Sequence, residues 1–272
     1  MNSAYTNDRP ESFLWTPVED GIKVTGYTGG QDFIAIPGEI DGKPVVEIGC
    51  TGDTEPEFLF SVLFPASVKR VDPCALPDAN RGYYGSYSSA WIRDLKIHPD
   101  NPHLKIVDGI LYADGGRTLL RALDIRSETL NIPAGVTAIA PGACLGFSNL
   151  KTVTFPEGLL CIGDKAFYRT HVTAVTFPES LEEVGYNAFW PEGVHNVKGS
   201  IAADAPTSLR HVSYNPVLNW TNLHAHPNFR LQDDLILSAD GKTLYCPADD
   251  SLGTDLTIPD GVEEIVSYAF FH

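Results

Sequence analysis

His224 and His226, two residues apart, and five cysteines are the side chains with the clearest chemical potential. In an extended segment that spacing puts both imidazoles on one face, the beginning of a zinc site with His211 as a candidate neighbour. The surrounding Asn219-Trp-Thr-Asn-Leu-His-Ala-His-Pro227 reads instead as a polar loop, and no third ligand can be named. No metal site and no cofactor is therefore expected. Cys50, Cys74, Cys144, Cys161 and Cys246 are odd in number and contain no Cys-x-x-Cys, so the expectation is free, mostly buried thiols rather than a disulfide framework. Gly-x-Ser-x-Gly, His-Glu-x-x-His and phosphate-binding glycine loops are all missing, and no nucleophile–base or acid–base pair stands out, so no catalytic residue is assigned.

A different chemistry lies in Arg81-Gly-Tyr-Tyr-Gly-Ser-Tyr-Ser-Ser-Ala-Trp91. Aromatic rings among Ser and Gly give contact area at small entropic cost, the composition of protein-binding loops. Tyr83, Tyr84, Tyr87 and Trp91 are the candidate binding residues, with Trp190 in Trp190-Pro-Glu-Gly193 as a second location. The competing reading has these rings pack down over a gap in the fold.

The elements that must position these groups follow from an internal repeat. Leu130-Asn-Ile-Pro-Ala-Gly-Val-Thr-Ala-Ile139, Val153-Thr-Phe-Pro-Glu-Gly-Leu-Leu-Cys-Ile162 and Val175-Thr-Phe-Pro-Glu-Ser-Leu-Glu-Glu-Val184 align without gaps, their prolines 23 and 22 residues apart. Each runs on into Gly-x-x-Ala-Phe or a variant: Gly163–Phe167, Gly185–Phe189 and, more loosely, Ala140–Cys144. Leu256–Ile265 and Ala269-Phe270 repeat the phrase, and Phe33–Pro37 and Val62–Val68 are weaker copies. Alternation before the proline is strand patterning, the proline ends the strand, and the later apolar pair returns side chains to the inside. One such unit cannot bury its own apolar face, so copies must stack. In this frame Cys144 takes the slot of Phe167, Phe189 and Phe270 and belongs to the core, whereas Cys161 takes the variable slot of Ala138, Glu183 and Glu264.

The phrase Leu-x-x-Val-x-Phe/Ile-Pro-x-x-Val-x-x-Ile-Gly-x-x-Ala-Phe resembles the BspA-like (Treponema pallidum-type) leucine-rich repeats. Gly26-Tyr-Thr-Gly29 followed by Ile36–Gly49 is similar to that family's lead-in. Asn101-Pro102 with Val107–Leu119, and Asn215-Pro216 with Asp233–Leu244, resemble its inserted hairpin cassettes, with Asp114-Gly115 and Asp240-Gly241 as turns. The resemblance spans roughly residues 20 to 272. It implies a leucine-rich-repeat solenoid of the horseshoe-type α/β class, strand-rich with little α-helix, interrupted by two β-hairpin cassettes near 105–123 and 231–246.

The expected organisation is a loosely ordered lead over 1–20 and one repeat domain over 21–272, with insertions near 78–94 and 190–208 and a truncated last repeat. The resemblance further implies a non-catalytic protein-interaction module for adhesion or host-protein binding at a bacterial surface. A spacer presenting another domain is the alternative, and a hydrolase of peptides or glycans a third reading. Nineteen Lys and Arg against 35 Asp and Glu give a net charge of −16, which repels nucleic acid and anionic lipid, so the partner is expected to be a protein. With no stretch of about eighteen apolar residues, no membrane insertion is expected. End-to-end self-association through an uncapped last coil is a further expectation. On localisation the resemblance points to the cell surface or export, while the first residues, Met1–Pro10, carry no apolar signal-like stretch.

Overall fold

A computed structural model describes residues 6–7, 9–50, 60–76, 92–124, 126–191, 201–215, 218–248, 256–267 and 269–270. Among these residues the elements are short strands and single 3-10 turns, with no α-helix. The chain groups into two compact units, residues 1–124 and 125–272, where the repeat pattern predicts a single domain over 21–272.

In the second unit the repeat becomes a stack of coils. Ala138–Ile139, Cys161–Ile162, Glu183–Val184 and His211–Val212 pair in parallel, each in register with the next. The same three backbone bonds recur between coils. The N–H groups of Glu182 and Glu183 donate to the Leu160 carbonyl (2.8 and 3.1 Å) and that of Gly185 to Ile162 (2.8 Å). Those of Arg210 and His211 donate to Glu182 (2.8 and 3.1 Å), and that of Ser213 to Val184 (3.0 Å). Each proline turn is closed alike: the carbonyls of Pro133, Pro156 and Pro178 accept the N–H three residues on, at 3.3, 3.2 and 3.1 Å. Pro206 makes the same bond with Leu209 (2.9 Å). Part of the expected 190–208 insertion is thus a diverged repeat, Pro206-x-x-Leu209-x-x-Val212, whose strand Ile201–Ala203 pairs with Leu218–Trp220.

The inward residues make the stack worthwhile. Val136, Ile139, Leu159, Ile162, Phe167, Leu181, Val184 and Phe189 are all buried to within 1%. Burying one such side chain is worth about 1.5–3 kcal/mol, which a lone coil cannot collect because its neighbours supply the cover. Phe167 stacks on Phe189 (5.2 Å, 12°) and Phe155 on Phe177 (5.9 Å, 23°), so the aromatic slot repeats as a column. Cys144 fills that slot one coil earlier and is fully buried, as its alignment predicts. Gly163 and Gly185 hold coils this close: a Cβ would meet the Pro141 nitrogen or the Asp164 nitrogen at 2.5 Å.

Both expected cassettes form, with one strand more than a hairpin. In the first unit Lys105–Val107, Ile110–Ala113 and Thr118–Ala122 make an antiparallel meander. In the second, Phe229–Gln232, Leu235–Ser238 and Thr243–Pro247 do the same, and Thr243–Leu244 then pairs in parallel with Glu264–Ile265. The added tight turns are Asp108-Gly109 (φ 49° and 76°) and Asp233-Asp234 (φ 51° and 61°).

In the first unit the segment expected as a loose lead supplies an ordered strand, Phe13–Val18, antiparallel to Gly21–Tyr27. Gly21–Tyr27 continues in parallel to Lys43–Ile48 and Arg70–Val71. An ion network bridges this ladder. Asp20 binds Lys69 (3.1 Å) and Arg70 (2.7 Å), Glu47 binds Arg70 and Lys23 (both 3.0 Å), and Lys23 also reaches Asp72 (3.3 Å). Hydrogen bonds from Arg70 and then Lys69 hold the Asp20 carboxyl well below the usual range. Burial opposes ionisation of Glu47, but the bonds from Lys23 and Arg70 outweigh it and lower its pKa too. Cys50 is disulfide-bonded, which corrects the reading of free thiols throughout, since an odd total excludes only complete pairing. Cys144, Cys161 and Cys246 are not disulfide-bonded.

Two outcomes are expected. Gly185→Ala should lower stability in chemical denaturation by about 1–3 kcal/mol through overpacking, whereas Gly30→Ala, with open space around it, should be neutral or slightly stabilising. Equal effects would show that the coils have room to give. For the ion network, Asp20 and Glu47 ionise more readily folded than unfolded. Their contribution is therefore present above the unfolded values near about 4 and is lost as pH falls through the lower folded ones. Arg70→Ala should destabilise at neutral pH and progressively less below about pH 4; a penalty that does not change with pH would assign Arg70 a packing role only.

Candidate interaction surface

The outward face of the second unit's ladder combines a fixed frame with variable side chains. Ala138, Cys161, Glu183 and His211 face one another across successive strands, each just before a buried Ile or Val. Beside them Leu160 is 43% exposed, and Glu182 and Arg210 are also exposed. The His211 ring is held edge-on to Tyr245 (5.3 Å), its Nε2 3.2 Å from the Ser213 hydroxyl. Tyr245 in turn meets Phe229 (5.3 Å), tying the ladder to the cassette.

Cysteine, glutamate and histidine in one row invite a catalytic reading, which the spacing rejects. Cys161 and His211 are separated by the Glu183 strand, two strand spacings or roughly 10 Å, against the ~3 Å needed for proton transfer. Burial and the Glu183 charge push the Cys161 thiol up, the opposite of an activated thiolate. Burial alone pushes Cys246 up to about 12.

The segment of the histidine pair is not a strand. Leu223–Ala225 is a 3-10 turn rather than extended, so the period-two argument does not apply to it. His226 is buried, its Nε2 donating to the Pro206 carbonyl (2.7 Å) and its Nδ1 accepting the Asn228 N–H (3.2 Å). Among the described residues no group of three His, Cys, Asp or Glu is placed to hold a metal.

His226 has a twin that sequence reasoning missed. In His98-Pro99-Asp100 the His98 Nδ1 likewise accepts the N–H two residues on, at 3.2 Å. An asparagine clamp follows each turn. The Asn101 amide donates to Pro65 and Val68 (3.0 and 2.9 Å), and that of Asn228 to Thr207 and Leu209 (3.2 and 2.9 Å). Asn228 and not Asn215 is therefore the counterpart of Asn101. Asn215 instead bonds Gly185 and Ser213 (2.8 and 2.9 Å) within the coil stack. The shared His-Pro dipeptide was the available signal.

Of the candidate binding residues, Tyr83, Tyr84, Tyr87 and Trp91 lie outside the described residues. Trp190 lies on Phe189–Pro191, half-buried, in register with Tyr168, the two rings parallel to within 22° and 6.2 Å apart. Among the described residues no helix is long and apolar enough to cross a membrane.

Residues 124–198 match the family model described as the BspA type leucine rich repeat region. The chain is similar to a leucine-rich cell surface protein from Faecalibacterium prausnitzii, at 21% identity and a TM-score of 0.41, over 98% of this chain and 67% of that one. It is also similar to the pneumococcal vaccine antigen PcpA (18%, TM-score 0.33, 95% and 59% of the two chains). A third similarity is to a Treponema pallidum leucine-rich-repeat protein (20%, TM-score 0.27, 78% and 83%). No curated protein matches by sequence. Over residues 124–198 the match to the BspA type leucine rich repeat region falls on the stacked parallel coils and recurrent proline turns, and the fold there is a strand-rich leucine-rich-repeat solenoid.

Proposed function

We propose that the chain is a non-catalytic protein-binding module, serving adhesion or the binding of a host or surface protein by a bacterial cell. The observation that carries this is the ladder: Ile139, Ile162, Val184 and Val212 are buried to within 1%, while the preceding Ala138, Cys161, Glu183 and His211 differ freely. Such a frame lets surface chemistry change without disturbing the core. The wide separation of Cys161 and His211 supports a binding rather than a catalytic use of this face. The Cys50 disulfide fits an oxidising exterior. The surface-protein relatives lend fold-level analogy only. We assign two contact regions, the ladder around Leu160 and Glu183, and the segment Tyr83, Tyr84, Tyr87 and Trp91, with Trp190 as a lesser candidate.

The test is binding to intact epithelial cells and to purified extracellular host proteins. Wild type is compared with a Tyr83→Ser, Tyr84→Ser, Tyr87→Ser, Trp91→Ser variant and with a Leu160→Arg, Glu183→Arg variant, all checked for folding by circular dichroism. At least one variant should lose more than about tenfold in affinity, as removal of an interface hot spot does. Absence of binding by wild type, or equal binding by all three proteins, would contradict the proposal.

A further inference from the structure

The ladder of the second unit leaves opposite charges of neighbouring coils unjoined. At other coil-to-coil steps they meet. Lys242 binds Glu263 (2.7 Å), whose N–H donates to the Lys242 carbonyl, and Arg70 binds Glu47 (3.0 Å), its partner in register. Arg210 and Glu182 stand at the same kind of step, since the Arg210 N–H donates to the Glu182 carbonyl (2.8 Å). Yet Glu182, Glu183 and Arg210 are all exposed, and among the described residues none of the three is in an ion pair or a side-chain hydrogen bond. The coil before them presents Leu160, 43% exposed. Over three consecutive strands the face therefore reads apolar, acidic, basic, with its charges open to a partner.

Charge order and spacing together select the occupant. Paired strands lie about 4.8 Å apart, so the acidic and basic coils sit about 4.8 and 9.6 Å from the apolar one. An α-helix rises about 1.5 Å per residue and presents positions i, i+3 and i+7 on one face, about 4.5 and 10.5 Å along its axis. An extended segment repeats a face only every ~6.8 Å and falls out of step at the first coil. We propose that the ladder docks an amphipathic α-helix of a partner protein, laid along the stack. Its apolar side chain covers Leu160, a Lys or Arg pairs with Glu182 and Glu183, and an Asp or Glu pairs with Arg210. The helix runs in the order of the coils, which sets the negative end of its dipole towards Arg210. A second copy of this chain is not the donor, since its described residues contain no α-helix. This rests on the protein-binding reading above and adds the partner's local fold and charge order.

Two Ala-rich helical peptides of identical composition probe the full chain, one with Leu, Lys and Glu at i, i+3 and i+7, the other with Lys and Glu exchanged. In amide NMR titrations the first should bind about tenfold or more tightly than the second, and less tightly in high salt. The shifts should centre on Leu160, Glu182, Glu183 and Arg210. A Glu182→Lys, Glu183→Lys, Arg210→Glu variant changes only exposed positions, and its fold is checked by circular dichroism. It should reverse the preference. Binding of neither peptide, equal binding of both, or a preference that the variant keeps would overturn the helix proposal. The host-protein assay decides the protein-binding reading separately. Host binding lost in the Leu160→Arg, Glu183→Arg variant, alongside peptides that fail, would keep the ladder as the site and reject the helix.

Discussion

Close approach of one coil to the next is the constraint on which the second unit depends. Short parallel strands of two residues make too few hydrogen bonds to hold a sheet alone, so each coil relies on its neighbours for backbone partners and apolar cover. Glycine at 163 and 185 allows the distance, since a Cβ there would sit 2.5 Å from a backbone nitrogen of the preceding coil. With that spacing fixed, Phe167 and Phe189 stack at 5.2 Å and the Ile and Val positions interlock. The outward side chains then become a surface whose geometry is set from within.

Much of this was legible in the sequence because the repeat has a local cause. Proline spacing, period-two alternation and Gly-x-x-Ala-Phe each state a backbone requirement, and the coils over 129–189 follow them. Divergence hid the copy at Pro206, where Ala205 stands before the proline in place of the Phe or Ile of other coils, although Leu209 and Val212 keep their places. The turn at Asp233-Asp234 went unread because no glycine marks it, while Asp108-Gly109 has one. The ion network joins Asp20 to Arg70, 50 residues away, and no local pattern announces such a contact. The loop reading of the histidine segment rests on a related point. Period-two spacing carries meaning only in a strand, and the 3-10 turn at Leu223–Ala225 removes it.

The same physics bears on function. Polar groups capable of chemistry are largely absorbed by the architecture: His226 and Asn228 close a turn, Asn215 joins coils, and Cys144 and Cys246 fill the core. What remains on the ladder is a mixed row of small, acidic and aromatic side chains at fixed separations, suited to contact rather than to proton transfer.

Amide hydrogen exchange on the free protein tests the central claim, a cooperative coil-to-coil ladder, most directly. The N–H groups of Leu160, Gly163, Glu182, Gly185, Arg210 and Ser213 all donate to the preceding coil at 2.8 to 3.0 Å. They should exchange slowly and open together, with a common free energy close to that of unfolding the unit. Rapid, unrelated exchange at these six amides would show that the coils do not stack as a ladder.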